Sequence, residues 1–266
     1  MTPRILARLI AAMLVLAAVM SVFLLQFEWF GDAASEQREP IDTLFDVMVV
    51  LSSFVFSVVV VMLAYAIWKY RAKPGDESDG EPIHGNTKLE IAWTVIPTAI
   101  VLVGAIYSWI VLDDIEAKAE DRMPINITAQ QFKWTFEYPD AGVTSNELHV
   151  PVDQQLEIQL TALDVVHSFW VPEWGIKRDA VPAGFGGDEV DDEFVVTPNE
   201  EGTYTNICSE LCGFGHATMR SLVVVESQEE FERWLSQQEP SAGAAPADGA
   251  ESGSGESGSG SSGASG

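Results

Sequence analysis

Residues 91–112 read Ile-Ala-Trp-Thr-Val-Ile-Pro-Thr-Ala-Ile-Val-Leu-Val-Gly-Ala-Ile-Tyr-Ser-Trp-Ile-Val-Leu, 22 positions without a charge. At 1.5 Å of rise per residue, about 20 apolar residues in a helix cross a bilayer core of about 30 Å. The segment is therefore predicted to span a membrane, with Trp93 and Trp109 near its two ends. Pro97 falls in its first turns, where a membrane helix tolerates a kink. A second span is predicted from about Phe45 to Trp68, with no charge between Asp46 and Lys69. A third apolar block, Leu9 to Phe27, follows Arg4 and Arg8. It fits two readings: a further membrane helix, or a signal segment cleaved near Ala33, Ala34 and Ser35.

Lys69, Arg71, Lys73 and Lys88 all fall between the second and third spans. Basic loops stay in the cytoplasm, so residues 69–90 are predicted inside and everything after the 91–112 helix outside. The predicted divisions are a hydrophobic N-terminal segment over 1–34, a helical hairpin over 41–112, an extracytoplasmic domain over 113–238 and a tail over 239–266. This is a multi-pass protein of the cell membrane.

The 266 residues carry 14 Lys and Arg against 40 Asp and Glu, a formal net charge of −26, together with 47% apolar residues. Strong acidity normally accompanies low hydrophobicity, so the two properties must occupy different stretches. Between positions 113 and 240 there are 7 basic and 26 acidic residues, so the external part holds most of the charge. Nucleic acid is excluded as a partner, because its backbone requires a basic stripe. Polybasic attachment to anionic lipid is excluded likewise.

Past Asp113 the long apolar runs give way to short stretches rich in Val, Ile, Thr and aromatics. Strands are predicted at 125–128, 132–138, 147–150, 155–161, 168–171, 193–196, 202–207 and 221–225, punctuated by Pro and Gly. This spacing indicates an all-β sandwich or barrel. A short helix is predicted from about Gln228 to Leu235. The tail from Pro240 is Ala, Gly, Ser, Pro and three acids, a composition that cannot form a core and is read as disordered.

The chemistry is concentrated in Cys208-Ser-Glu-Leu-Cys212-Gly-Phe-Gly-His216-Ala-Thr-Met219, with a second imidazole at His167 heading His-Ser-Phe-Trp-Val-Pro. Soft sulfur with imidazole selects copper, zinc or iron–sulfur. A disulfide between the two cysteines and a closed zinc site of Cys208, Cys212, His216 and His167 are both compatible with this set. The thioether of Met219 and the β-sandwich context favour copper. A single blue-copper ion uses one Cys, so the second thiol suggests two ions sharing the thiolates. Such a site has no open position for a substrate and would move electrons. His84 reads as a loop residue and His149 as a strand residue, neither with a ligand role.

The Cys208–Met219 loop resembles that of subunit II of the haem–copper cytochrome c oxidases, which holds a dinuclear copper centre, CuA. So do His167-Ser-Phe-Trp-Val-Pro172, Lys177-Arg178-Asp179-Ala-Val-Pro182, and His84-Gly-Asn-Thr-Lys-Leu-Glu90-Ile-Ala-Trp-Thr-Val-Ile-Pro97. The likeness covers roughly residues 41 to 228. It implies a transmembrane hairpin anchoring an external cupredoxin domain. It also implies that His167 and His216 each bind one copper, that Cys208 and Cys212 bridge both, that Glu210 offers its backbone carbonyl and that Met219 is a weak thioether ligand. Further implications are a magnesium or manganese ion shared with subunit I near Glu210 and Asp179, and a proton-uptake role for Glu90. The partners implied are the haem-bearing subunit I, a third subunit and an external donor, cytochrome c or a small blue-copper protein. Oxygen reduction and proton pumping would belong to subunit I, making the chain part of a cytochrome-c oxidase without an oxygen site of its own.

Two departures from that family's pattern stand out. Where it commonly has Gln-Trp-Tyr-Trp, this chain has Gln131-Phe132-Lys133-Trp134, leaving Phe132 and Trp134 as candidates for receiving electrons. After Asp179 it reads Pro-Ala-Gly-Phe-Gly-Gly in place of Pro-Gly-Arg. A CuA-type or copper-handling protein outside a terminal oxidase is the alternative reading. The acidic excess suggests a salt-adapted prokaryotic source.

Overall fold

The computed structural model describes residues 2–72, 74, 75, 80, 82, 84–183 and 192–240. Lys73, the departure at 184–187 and the tail beyond Pro240 lie outside the described residues. Among the described residues, three helices are long and apolar enough to cross a membrane: α1 (Pro3–Leu24), α2 (Arg38–Tyr70) and α3 (Thr87–Ile115). Helices α2 and α3 run beyond their apolar blocks at both ends, whereas α1 starts six residues before its block and ends at Leu24, three residues short of Phe27. At the inner end of α3 the Asn86 side chain accepts the backbone N–H groups of Lys88 and Leu89. In the other direction, α2 begins seven residues before Phe45, at Arg38. Ala17 of α1 and Ser53 and Ser57 of α2 are buried where the two helices pack.

The described residues of the external part form ten strands: β1 (Met123–Gln130), β2 (Lys133–Tyr138), β3 (Val143–Ser145), β4 (Leu148–Pro151), β5 (Leu156–Ala162), β6 (His167–Val171), β7 (Ile176–Ala180), β8 (Asp192–Val196), β9 (Gly202–Ile207) and β10 (Arg220–Glu226). One sheet runs β3-β2-β1-β5-β8 and a second β4-β10-β9, with β6-β7 as a separate ribbon. Parallel pairing of β1 with β5 and of β4 with β10 requires crossovers between the sheets. The result is the predicted β-sandwich of cupredoxin type. Alternation puts Ile125, Ile127, Leu156, Ile158 and Leu160 inward from one sheet, facing Leu148, Val150, Val223 and Val225 of the other.

The expected strands are all present, and β3 and β7 are additions. β3 has only three residues, too few for a period-two signal, and β7 (Ile-Lys-Arg-Asp-Ala) carries three charges that mask one. The strand expected to open at Phe132 opens at Lys133, since Gln131 and Phe132 form the turn from β1. Helix α4 (Gln228–Ser236) starts at a reciprocal Ser227–Glu230 cap and lays Phe231 and Trp234 against Tyr138.

Residues 34–38 bind the membrane part to the sandwich. Ala34 N–H donates to the Glu173 carbonyl, Glu36 N–H to that of Thr197, and Asn199 N–H to that of Ala34. Ser35 Oγ donates to the Trp174 carbonyl at 2.8 Å, and Thr197 N–H donates to Gln37 Oε1 at 2.9 Å. Buried Arg38 reaches the Pro172 carbonyl and Asp42, each at 2.6 Å.

Candidate metal centre

The site lies at one end of the sandwich, where β9 hands over to β10 and β6 begins. Two backbone bonds fix its base. Cys208 N–H donates to the Met219 carbonyl across the mouth of the loop, and Ser209 N–H donates to the Ser168 carbonyl beside His167. The loop is therefore held both on itself and to β6.

Five donor side chains converge there. Cys208 Sγ is 3.8 Å from His167 Nδ1 and 3.8 Å from Cys212 Sγ. Cys212 Sγ is 3.7 Å from His216 Nδ1 and 3.8 Å from Met219 Sδ. The Glu210 carbonyl oxygen lies 3.4 Å from Cys208 Sγ. Donors to one tetrahedral ion at about 2.0–2.3 Å are about 3.5–3.8 Å apart. Each link in the chain His167–Cys208–Cys212–His216, with Met219 branching from Cys212, thus has the length of an edge shared around an ion. The two thiols are free rather than joined. His167, Cys208 and Cys212 alone bring their ligand atoms within 4.8 Å of one another.

The donors are shielded from water. His167 and Met219 are 0% exposed and both cysteines are buried, whereas His216 is half-buried. Burial, reinforced by the adjoining Cys208 thiol, pushes the Cys212 thiol up to about 11. A metal ion binding thiolates must displace that proton. A donor set of two thiols, two imidazoles and a thioether suits a soft ion.

Phe132 lies directly over the loop. A Cβ on Gly215 would fall 2.4 Å from Phe132 Cγ, and one on Gly213, at φ +128°, would fall 2.8 Å from Gln131 Nε2. Both glycines are needed for this close approach. Phe132 remains 40% exposed, and Phe214, in the loop beneath it, is fully exposed. Trp134 differs from expectation. It is 1% exposed, edge-on to His167 at 6.3 Å between centroids, so it cannot touch an external donor. The strand alternation that turns Lys133 outward turns Trp134 into the core.

The remaining expected residues lie apart from this cluster. The Glu210 side chain is exposed. Asp179 pairs with Lys177 at 3.2 Å. Partial burial raises the Asp179 carboxyl, but hydrogen bonds from Ser168 and Lys177 outweigh it and hold the group below its ordinary value. Glu90 is exposed in the first turn of α3, its Oε1 accepting the Asn86 N–H at 3.1 Å. His84 is exposed, and His149 stacks on Trp234 beside Glu226, away from the thiols.

Two participants are not evident from ligand chemistry. Asp164 Oδ1 lies 2.9 Å from His167 Nε2, and Gln131 Nε2 donates to the Cys212 carbonyl. A carboxylate three residues before a ligand histidine is a readable signal for the first. The second is a contact across 81 positions and has no local signature.

Comparison with known families gives two matches. Residues 22–111 match the cytochrome c oxidase subunit II transmembrane domain, and residues 142–228 match the periplasmic domain of the same subunit. Cytochrome c oxidase subunit 2 of Thermostichus vulcanus is 31% identical, with 88% of each chain covered. That of Synechocystis sp. is 29% identical, covering 80% of this chain and 79% of its own. In three dimensions, the crystal structure of the periplasmic domain of subunit II of cytochrome oxidase from Bradyrhizobium japonicum aligns with a TM-score of 0.40. It is 31% identical and covers 46% of this chain and 94% of its own. The two family matches and the near full-length relatives establish that this chain belongs to the cytochrome c oxidase subunit II family.

Proposed function

We propose that the external domain holds two copper ions between His167, Cys208, Cys212, His216 and Met219, with the Glu210 carbonyl as a sixth donor. As a subunit II, the chain transfers electrons toward subunit I, where oxygen is reduced, and has no oxygen chemistry of its own. The observation that carries the copper assignment is the run of 3.7–3.8 Å separations linking imidazole, thiol, thiol, imidazole and thioether. Two thiols at the centre of the run leave one imidazole for each of two ions. Copper bound by such a set supplies reversible one-electron transfer.

The residues around the donors determine how electrons reach it. Phe132 is exposed on one face and rests on the Gly213–Gly215 backbone on the other, which makes it the contact for an external donor. Phe214 and Leu211, in the same loop as the thiols, are also exposed. Burial of His167, Met219 and the thiols would keep water from bound ions, and a sandwich holding its donors in fixed positions suits electron transfer. On the same reading, Glu210 and Asp179 would border a magnesium or manganese ion shared with subunit I. Glu90, at the inner surface, would meet protons on their way in. Residues 113–238 are the external domain of this scheme.

The test is the metal content and spectrum of the full-length protein purified in detergent after growth with copper. Two coppers per chain and an electron paramagnetic resonance signal delocalised over both nuclei are expected. A single copper with an ordinary blue-copper signal would sink the dinuclear reading. Cys208→Ser and Cys212→Ser should each abolish the delocalised signal.

A further inference from the structure

Asp164 and Gln131 join the two halves of the donor set to the residue exposed above it. Asp164 lies in the β5–β6 loop, and its carboxylate accepts three contacts. Oδ2 accepts the Gln131 N–H at 2.7 Å, and Oδ1 accepts the Val165 N–H at 2.7 Å. The third contact is His167 Nε2, 2.9 Å from Oδ1. An ionised carboxylate only accepts hydrogen bonds, so His167 must carry its proton on Nε2. In the neutral ring Nδ1 is then a free lone pair, and it is Nδ1 that lies 3.8 Å from Cys208 Sγ.

Gln131 completes the arrangement. Its backbone N–H is held by Asp164 and its side chain by the Cys212 carbonyl. One residue therefore ties the His167 side of the site to the Cys212–His216 side, and Phe132 is its immediate neighbour. Only glycine at 213 lets the Gln131 amide approach so closely.

We propose that Asp164 and Gln131 are positioning residues: Asp164 fixes the metal-facing nitrogen of His167, and Gln131 anchors the Cys212 end of the loop beneath Phe132. The proposal rests on the copper reading given above. Carboxylates hydrogen-bonded to a ligand histidine set its tautomer and increase its basicity. More basic imidazole stabilises the oxidised metal, so removing Asp164 should raise the reduction potential. Loosening Gln131 should leave His167 in place while letting Phe132 and the Cys212 segment shift.

The experiment uses the full-length chain as wild type, Asp164→Ala, Asp164→Asn and Gln131→Ala. Copper content, paramagnetic resonance and reduction potential are measured for each. Asp164→Ala should raise the potential and change the histidine nitrogen coupling. Asp164→Asn keeps an acceptor without the charge and should fall between alanine and wild type. Gln131→Ala should keep both coppers and slow reduction by an external donor, with little change in potential. A copper-loaded Asp164→Ala protein with wild-type potential and spectrum would overturn the role of Asp164. A Gln131→Ala protein reduced at the wild-type rate would overturn that of Gln131.

Nitrogen NMR of the metal-free wild type gives a decision independent of how the variants fold. A proton on His167 Nε2 is expected, and a proton on Nδ1 would refute the proposal. Fewer than two coppers in the wild type would count against the copper reading itself, leaving the tautomer result to judge the positioning role separately.

Discussion

At the scale of single residues, the site is sensitive to atoms that never touch a metal. Gly215 has an ordinary φ of −91°, so alanine there is opposed by space alone, with Phe132 Cγ at 2.4 Å. Gly215→Ala should displace the Phe132 ring, keep both coppers and slow reduction by an external donor by about tenfold. Stopped-flow kinetics would check this, and an unchanged rate would remove Phe132 from the electron path. Met219 is wholly buried, so leucine fills its volume at a cost below about 1.5 kcal/mol. Met219→Leu should retain the fold and both coppers and alter the reduction potential, since weak axial ligands tune it. A voltammetric potential identical to that of wild type would argue against a ligand role for the thioether.

At the scale of elements, helix α4 and the 34–38 segment illustrate two kinds of anchorage. Helix α4 is short and depends on its cap and on Phe231 and Trp234. The Ser227 hydroxyl and N–H donate to Glu230 and hold its carboxyl below the ordinary range. A depressed folded value stabilises fully above the unfolded value of about 4.3 and is lost as pH falls through the folded value. Ser227→Ala removes both the cap on the Glu230 N–H and the hydrogen bonds to its carboxylate, so it should lower the melting temperature at neutral pH. The gap from wild type should narrow in acid, as thermal melts followed by circular dichroism would reveal. A gap of undiminished size in acid would mean that the Glu230 carboxylate does not contribute. Arg38 is a different case, because a nearly buried guanidinium bonds Pro172 and Asp42 at the junction of membrane and sandwich. Arg38→Ala leaves the Pro172 carbonyl without its guanidinium donor and should lower the melting temperature while sparing copper.

At the scale of the whole molecule, charge and apolarity are separated along the chain. The net charge of −26 is carried mainly outside the membrane, where few lysines and arginines are available to offset it. Those few are used in local contacts, Lys118 and Arg122 both reaching Glu157, for example. Self-repulsion of this size destabilises a compact state and is screened as the Debye length falls from about 10 Å at 0.1 M to about 3 Å at 1 M. The external domain should therefore melt at a higher temperature in molar salt than at low salt. Equal melting temperatures would remove the case for salt adaptation. Phe132, Phe214 and Leu211 are exposed apolar side chains, so contact with a donor there would draw on burial as well as on the acidic field.

The sequence by itself determined whatever depends on neighbours along the chain. Uncharged runs near 20 residues indicate a membrane span, the alternation in 125–129 and 156–162 indicates a half-buried strand, and soft donors within 208–219 suit a soft metal. It also supplied the ligand types, because the four-residue spacing from Cys208 to Cys212 and on to His216 is local. Only the tertiary structure decided what depends on contacts across the fold. It buried Trp134 and left Phe132 exposed, since the turn at 131–132 sets the phase of β2. It brought Asp164 to His167 and Gln131 to Cys212, and it threaded residues 34–38 into the sandwich. Those contacts are hydrogen bonds between groups far apart in sequence, and no periodicity encodes them. The chain specifies its elements and its donors, and the packing of sheet on loop determines which groups aim the donors and which one meets the outside.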